Sequence, residues 1–465
     1  MGNPDIIRTN IKNLYLAESK PFVIGFSGGK DSTATLQIVW ETLREIPHDE
    51  RKNHIYVIFV DTLVETPYIA EYINETISGI NEAAKKENMP ISALKLVPKP
   101  DKTFWVNLIG RGYPAPSQMF RWCTEKLKIA PVNDFINNTV KSYGEVILVL
   151  GTRKSESISR SIVFKNRQDE KEKNKFNLSF HQSISGAYVF TPIEDMSDDD
   201  VWEYLLRNNS NPWSGSNRNL AAMYQNATDG DCQLVLDTNT PSCGSSRFGC
   251  WVCTLVVKDT SMENIIDSGE DWLIPLLDFR NLLNSTQSPE LKPQYRSYKR
   301  RNGRAALVKD KSHLSYGPYK FEWKMKFLKM LLSAQKSVQE NGPDASYQLI
   351  SIEELKLIRK IWKEEDHDWE DSVPKIYEEI IGIKFPKDFE DGINFNTSDF
   401  ALLEGICRSE DLPSDLVARL IDEERKLHGM SKRSGILTKL DRVLNEEWRS
   451  EEQVIAEDVG TINEN

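Results

Sequence analysis

The first half of the chain alternates short, continuously apolar runs with stretches of helical period. FVIGF (22–26) is an apolar run that ends in Ser-Gly-Gly, and TATLQIVWETL (33–43) reads as the helix that follows it. IYVIFVDT (55–62) predicts a second strand, residues 67–87 a second helix, and EVILVLGTR (145–153) a third strand that stops at a glycine. Strands that are apolar throughout, separated by helices, imply an α/β fold: a parallel twisted sheet with helices on both faces. Ligands of such sheets sit at the carboxyl ends of the strands. The polar residues after these three strands are therefore expected to converge on one site.

Residues 161–186, with FKNRQDEKEKNKFN at the centre, read as a polar, exposed excursion. Order returns at TPIEDMSDDDVWEYLLRN, where Ser197 with Asp200 three residues later opens a helix carrying Val201, Tyr204 and Leu205. Residues 210–260 are loop-like and hold four cysteines. Beyond about 350 the chain is charged and helical in pattern, with breaks near Pro386 and Pro413. The expected organisation is an α/β domain over 1–210, a cysteine-rich segment over 211–290, a basic segment over 291–345 and an acidic, mainly helical region over 346–465. No internal repeat is present.

A length of 465 residues accommodates two or three domains, and 39% hydrophobic with 28% charged residues is ordinary for a globular protein. No apolar run approaches the roughly 18–20 residues that span a membrane, and the first 20 residues lack a secretory pattern. The expectation is a cytoplasmic protein without membrane contact. Reduced thiols there make six cysteines a sign of metal binding or catalysis before disulfides. The net charge of −11 argues against a nucleic-acid partner until it is mapped. Residues 351–465 carry 16 basic and 29 acidic side chains, which leaves the first 350 nearly neutral; within these, residues 291–330 hold 12 basic side chains against only Asp310 and Glu322. A basic segment followed by an acidic region is hidden in the sum.

Ser27-Gly28-Gly29-Lys30-Asp31-Ser32-Thr33 lies between a strand and a helix, where a phosphate-binding loop must lie. Glycines let the backbone approach an anion, the amide N–H groups point at it, and the helix N-terminus adds a favourable dipole. Ser27, Lys30 and Ser32 add hydrogen bonds and charge. The plainer alternative is a glycine-rich turn capping a helix. Asp61, in DTLVETP, suits a ribose or adenine contact or a Mg²⁺ shell, or else simply caps a helix. After the third strand, Gly151-Thr152-Arg153 with Glu156, Ser157 and Arg160 offers arginines for phosphates or an adenylated intermediate; a solvated helix face is the alternative.

Cys232, Cys243, Cys250 and Cys253 form C-x10-C-x6-C-x2-C. Four thiolates with two of them one turn apart suit structural zinc or a 4Fe-4S cluster, and the spacing does not separate the two. Cys123, in RWCTEKLK, stands at a helix start beside Arg121, Lys126 and Lys128, a setting that favours the thiolate and nucleophilic or sulfur-carrying chemistry. An inert buried thiol is the alternative there. Cys407 reads as a helical core residue.

The loop resembles the SGGKDS loop of ATP pyrophosphatases, which split ATP into AMP and pyrophosphate, and not the GxxxxGK[ST] loop of enzymes that cut the β–γ bond. DTLVETP and GTRKSES resemble segments of the phosphoadenylylsulfate (PAPS) reductase branch. All the motifs, in one order over residues 20–260, resemble DndC, the PAPS-reductase-like family of DNA phosphorothioation systems. The resemblance implies ATP, Mg²⁺ and a 4Fe-4S cluster on Cys232, Cys243, Cys250 and Cys253. It also implies DNA as substrate, a cysteine desulfurase as sulfur donor and other sulfur-modification subunits as partners. The expected nucleotide-binding residues are Ser27, Gly28, Gly29, Lys30, Asp31, Ser32, Asp61, Gly151, Arg153 and Arg160, with catalysis assigned to Lys30, Asp31, Arg153 and Cys123.

The chemistry agrees with that expectation. A non-bridging phosphate oxygen is a poor leaving group; adenylation makes it a good one and releases pyrophosphate, after which sulfur can attack phosphorus. With four cysteines occupying the irons, Cys123 is the expected sulfur carrier. PAPS reduction itself fits less well, because the chain is longer and has no ECGLH-like tail. A tRNA-thiolating pyrophosphatase and a non-catalytic nucleotide-binding scaffold are the other readings.

Overall fold

In a computed structural model of the protein, the described residues are 3–156, 176–226, 249–309, 312–386, 397–410, 412–427 and 435–459. The chain forms two compact units, one from residues 1–99 and 116–271, the other from 100–115 and 272–465.

The first unit is built on a six-stranded sheet. In chain order its elements are α1 (Pro4–Ala17), β1 (Phe22–Gly25), α2 (Lys30–Arg44), β2 (Ile55–Val60), α3 (Pro67–Lys86), β3 (Ile91–Leu96), α4 (Ala130–Tyr143), β4 (Val146–Leu150), β5 (Ser179–Phe180), β6 (Ala187–Phe190), α5 (Asp198–Arg207) and α6 (Asn217–Asn226). The strand order is β3-β2-β1-β4-β6-β5. Every pairing is parallel except that of the two-residue edge strand β5 with β6. Phe22 of β1 lies opposite Ile55 on one side and Ile147 on the other, so β1 is central. The fold is the α/β architecture expected from the apolar runs.

Alternation along each strand feeds two separate cores. Ile24, Val57, Phe59, Ile147 and Val149 point to a core shared with α1, α2 and α5, whose largest member, Trp40, is wholly buried. Val23, Ile58, Val146 and Leu148 point the other way and pack with Ile136, Phe135 and Val140 of α4. Ser197 caps α5 by a reciprocal capping box with Asp200, as its spacing predicts. The chain runs from β1 to β2 and β3, then crosses back to place β4 on the opposite side of β1. The cleft between the carboxyl ends of β1 and β4 is thus the switch point, where such sheets bind ligands.

The second unit is helical. The helices Phe321–Asn341, Ile352–Glu365 and Ser372–Ile381 form its centre. The detached stretch 100–115 is tied into it: the Trp105 indole donates to the Leu349 carbonyl at 2.6 Å, and the Trp362 indole to the Ile109 carbonyl at 2.9 Å. Lys324, buried, pairs with Asp366 and donates to the Gly110 carbonyl. Among the described residues no helix is long and apolar enough to cross a membrane.

Gly151 is the residue that lets β4 and α2 meet: a Cβ there would sit 2.7 Å from both the Asp31 carbonyl oxygen and the Thr35 Oγ1. Two atoms anchored on a helix cannot both withdraw. Gly151→Ala is expected to destabilise the protein by about 1–3 kcal/mol, read as a lowered melting temperature. Gly405→Ala, on a helix and with nothing within 4 Å of the added carbon, is expected to be neutral or mildly stabilising. Equal melting of the two variants would contradict the packing argument.

Candidate functional site

From Gly25 the chain turns through Phe26–Gly29 into α2. Gly28 has φ +75°, in the left-handed region that favours glycine. A Cβ on Gly28 would lie 3.1 Å from the Tyr72 ring, and one on Gly29 2.9 Å from the Tyr224 hydroxyl. Ser32 closes the loop: its Oγ donates to the Gly29 carbonyl at 2.9 Å, accepts the Ser27 N–H at 3.2 Å and lies 3.3 Å from the Ser27 Oγ. No side chain of the N-cap residue, Gly29, caps α2. The backbone N–H of Lys30 donates instead to the Tyr224 hydroxyl at 3.2 Å. The loop therefore presents a helix N-terminus, with its partial positive charge, to the switch-point cleft.

Arg153, just past β4, is 3% exposed. Its Nε donates to the Asp31 carboxylate at 2.7 Å, one terminal nitrogen to Asp198 at 2.8 Å and the other to the Ser155 hydroxyl at 3.2 Å. Lys30 Nζ is 3.0 Å from the same Asp198 oxygen and 3.7 Å from Asp31. Two cations and two carboxylates alternate around the mouth of the loop, which brings Ser27, Gly28, Gly29, Lys30, Asp31, Ser32, Gly151 and Arg153 together. Asp198 was not foreseen, because three acids at the start of a helix carry the same signature as a helix cap. Arg160 lies outside the described residues.

Asp61 follows β2 on the same edge of the sheet. Its carboxylate accepts the N–H of Leu63 at 2.8 Å and sits 3.3 Å from Lys95 Nζ. Leu63 has φ +63°, so this bond supports a turn that leucine adopts at a cost. The turn leads straight to the cysteines. Glu65 and Cys250 face each other in an antiparallel bridge, and the Trp251 N–H donates to the Val64 carbonyl at 3.0 Å. The Thr62 hydroxyl donates to Glu65 at 2.7 Å and lies 3.2 Å from Cys250 Sγ, which is itself 3.8 Å from the same Glu65 oxygen. The Thr254 hydroxyl donates to the Pro116 carbonyl at 2.7 Å, stitching in the stretch that carries Cys123.

Burial is the first reason that the Glu65 carboxyl and the Cys250 thiol both titrate above their ordinary ranges. Glu65 and Cys123 push Cys250 further up, and Lys128 opposes the shift at both Cys250 and Glu65. Cys123 therefore lies within electrostatic reach of Cys250, and Cys253 follows one turn on, its N–H donating to the Cys250 carbonyl at 3.0 Å. Cys232 and Cys243 lie outside the described residues. Among the described residues no three His, Cys, Asp or Glu side chains form a ready metal cage. The donors that are described nonetheless fit a thiophilic, cationic group. Burial holds the Cys250 thiol and the Glu65 carboxyl above their ordinary ranges, and a bound metal centre would supply the charge that favours the thiolate. Cys407 is a buried helical residue, as its context predicts.

In the second unit the basic segment forms a ribbon through the bridges Arg296–Tyr319, Lys299–Ala305 and Leu307–Leu314. Some of its charge is already engaged. Lys299 lies 4.9 Å from the centre of the Trp448 ring, and burial lowers its pKa while Glu446 and Glu447 oppose the shift. Arg301 meets Glu365 at 3.2 Å and covers the Tyr113 ring. Arg300, bound to the Ser315 hydroxyl, and Arg304 are exposed.

The chain is similar to several known proteins. It is 30% identical over 197 residues to an uncharacterized protein of Methanocaldococcus jannaschii; the match covers 42% of this chain and 34%, about a third, of that protein. Among solved structures, a PAPS reductase from Candida auris in a phosphate complex is 14% identical, with TM-score 0.28, covering 48% of this chain and 91% of that one. The U34-tRNA thiolase NcsA from Methanococcus maripaludis, solved with its 4Fe-4S cluster, is 12% identical, with TM-score 0.29, covering 50% and 74%. Residues 21–255 match the phosphoadenosine phosphosulfate reductase domain, a span that holds the glycine loop, Arg153, Asp198, Cys123 and the cysteines Cys232, Cys243, Cys250 and Cys253. With half of its length in that match, the chain belongs to the phosphoadenosine phosphosulfate reductase domain family.

Proposed function

We propose that the protein is an ATP pyrophosphatase that adenylates a non-bridging phosphate oxygen of DNA and replaces it with sulfur. The observation that carries this reading is the pairing of Lys30 and Arg153 at the mouth of a glycine loop that opens a helix. Cations there neutralise a polyphosphate, and the loop N–H groups hold its oxygens. The DNA oxygen attacks the α-phosphorus of ATP, the α–β bond breaks, and pyrophosphate leaves as Lys30 and Arg153 stabilise its charge. Mg²⁺ would assist as a counter-charge, with Asp31 a nearby carboxylate.

Sulfur then attacks the DNA phosphorus and AMP leaves with the activated oxygen. A persulfide on Cys123, loaded by a cysteine desulfurase, supplies the sulfur. The resulting S–S link to Cys123 is cleaved by a second thiol, and a thiol reductant restores both. Cys250 and Cys253, with Cys232 and Cys243, would hold a 4Fe-4S cluster, which when bound supplies one-electron redox chemistry.

The wild-type protein with ATP, Mg²⁺ and DNA is expected to release AMP and pyrophosphate, and Lys30→Ala to lose at least about 10²-fold of that rate with its visible absorbance unchanged. ADP and phosphate as products would end the pyrophosphatase reading. Mass spectrometry of DNA after co-expression with a sulfur donor and the other modification subunits should show P=S linkages; sulfur found in RNA alone would favour tRNA thiolation.

Cys250→Ser is expected to bleach the absorbance near roughly 400 nm and to lower the melting temperature, since metal binding is folding energy in such loops. Cys123→Ser should keep pyrophosphate release and deliver no sulfur. Persistent sulfur transfer in Cys123→Ser would remove it as carrier, and bleaching would make it a cluster ligand.

For the basic ribbon, replacing exposed Arg300 and Arg304 together by Glu should weaken DNA binding and flatten its dependence on salt. Arg301→Ala, already paired with Glu365, should change binding much less. Equal, small effects would mean that the ribbon serves only to hold the acidic region.

A further inference from the structure

The mouth of the phosphate loop is filled by the protein itself, and by groups that copy the features of a phosphate. An anion bound there would take three things: the N–H at the start of α2, the space above the two glycines, and the charge of Lys30 and Arg153. Each is occupied. The Tyr224 hydroxyl, on α6, accepts the Lys30 N–H at 3.2 Å, and it stands 2.9 Å from where a Gly29 Cβ would be. The Tyr72 ring covers Gly28. One oxygen of Asp198, at the start of α5, takes both cations, at 2.8 and 3.0 Å.

We infer that Asp198 and Tyr224 are internal competitors of the ATP phosphates, so that nucleotide enters only as the α5–α6 stretch gives up these contacts. The inference rests on the pyrophosphatase reading proposed above. Three observations favour competition over support. First, a carboxylate adds negative charge where the ligand is most negative, so Asp198 and a phosphate oxygen cannot both lie within 3 Å of Lys30 and Arg153 without repulsion. Second, the Tyr224 oxygen accepts the Lys30 N–H, which is the role of the phosphate oxygen in such a loop. Third, Tyr224 has its own anchorage, with the Trp202 ring edge-on at 5.2 Å and Lys30 Nζ 5.5 Å from its ring centre, so the covered state is held by packing as well as by polar contacts.

The consequence is thermodynamic. The apparent dissociation constant is the intrinsic one divided by the fraction of molecules with the loop uncovered. Groups that stabilise the covered state raise it, and their removal lowers it. Asp31 is different. It pairs with Arg153 through Nε at 2.7 Å and stands farther from Lys30, at 3.7 Å.

The test is equilibrium binding of metal-free inorganic pyrophosphate and of Mg–ATP to the full-length protein by calorimetry, comparing wild type, Tyr224→Phe and Asp198→Asn. Tyr224→Phe keeps the ring packing and loses only the acceptor; its dissociation constant for pyrophosphate is expected to fall about three- to ten-fold. Asp198→Asn keeps the shape and loses the charge, and a fall of at least about ten-fold is expected. Melting of the ligand-free Asp198→Asn protein should drop, with a larger upward shift on adding pyrophosphate than the wild type shows. Unchanged or weaker pyrophosphate binding in both variants, beside normal wild-type binding, would overturn the inference and leave the pyrophosphatase reading intact. Weaker Mg–ATP binding in Asp198→Asn would also overturn it, by placing that carboxylate among the groups that hold the nucleotide or its metal. No binding of either ligand by any of the three proteins would overturn the pyrophosphatase reading itself, and the inference with it.

Discussion

Burial of the Arg153 guanidinium governs the arrangement of the site. A cation so nearly excluded from water is tolerable only with its hydrogen bonds and charge satisfied, and stranding it costs several kcal/mol. Its three donor contacts go to α2, to the turn after β4 and to α5. One side chain thereby fixes the end of β4, the start of α2 and the entry to α5 relative to one another. Gly151 makes the same approach possible sterically, by leaving out the one carbon that would collide with α2. Electrostatics and close packing thus converge on a single place, the switch point of the sheet, where chemistry is then possible.

Much of this was legible in the sequence. The three apolar runs became strands to within a few residues, because a strand buried on both faces has no alternation to misread. The cap at Ser197 formed as its spacing required. What escaped notice had physical causes. β3 mixes Ile91 and Ala93 with Ser92 and Lys95, which weakens the apolar signal of a strand at the sheet edge. β5 falls within a stretch read as a polar excursion, and two residues are too few to show a period. Asp198 and Tyr224 are ordinary residues on ordinary helices; only the fold brings them to a loop more than 160 residues earlier in the chain. That residues 100–115 pack with helices beyond 320 was equally invisible, since local pattern carries no information about distant partners.

The cysteine neighbourhood refines the picture drawn from flanking charge. Basic residues around Cys123 suggest a uniformly positive setting, yet burial and the Glu65 carboxyl dominate at Cys250 and hold its thiol protonated. Lys128 works against that from the Cys123 side. Trp122 and Trp251, which respectively precede Cys123 and follow Cys250 in the chain, are both buried.

The path of the chain has a bearing on how such a protein can be taken apart or assembled in evolution. The strand-bearing unit is interrupted by 100–115, whose Trp105, Val106, Leu108 and Ile109 are all buried among the residues of the helical unit. A cut near residue 271 would not release two foldable pieces. It would leave the first carrying an orphaned apolar hook and the second with a hole where Trp105 had been. The helical unit is therefore no detachable appendage: recombination could exchange it only by editing two places in the gene at once, which ties the inheritance of the two units together.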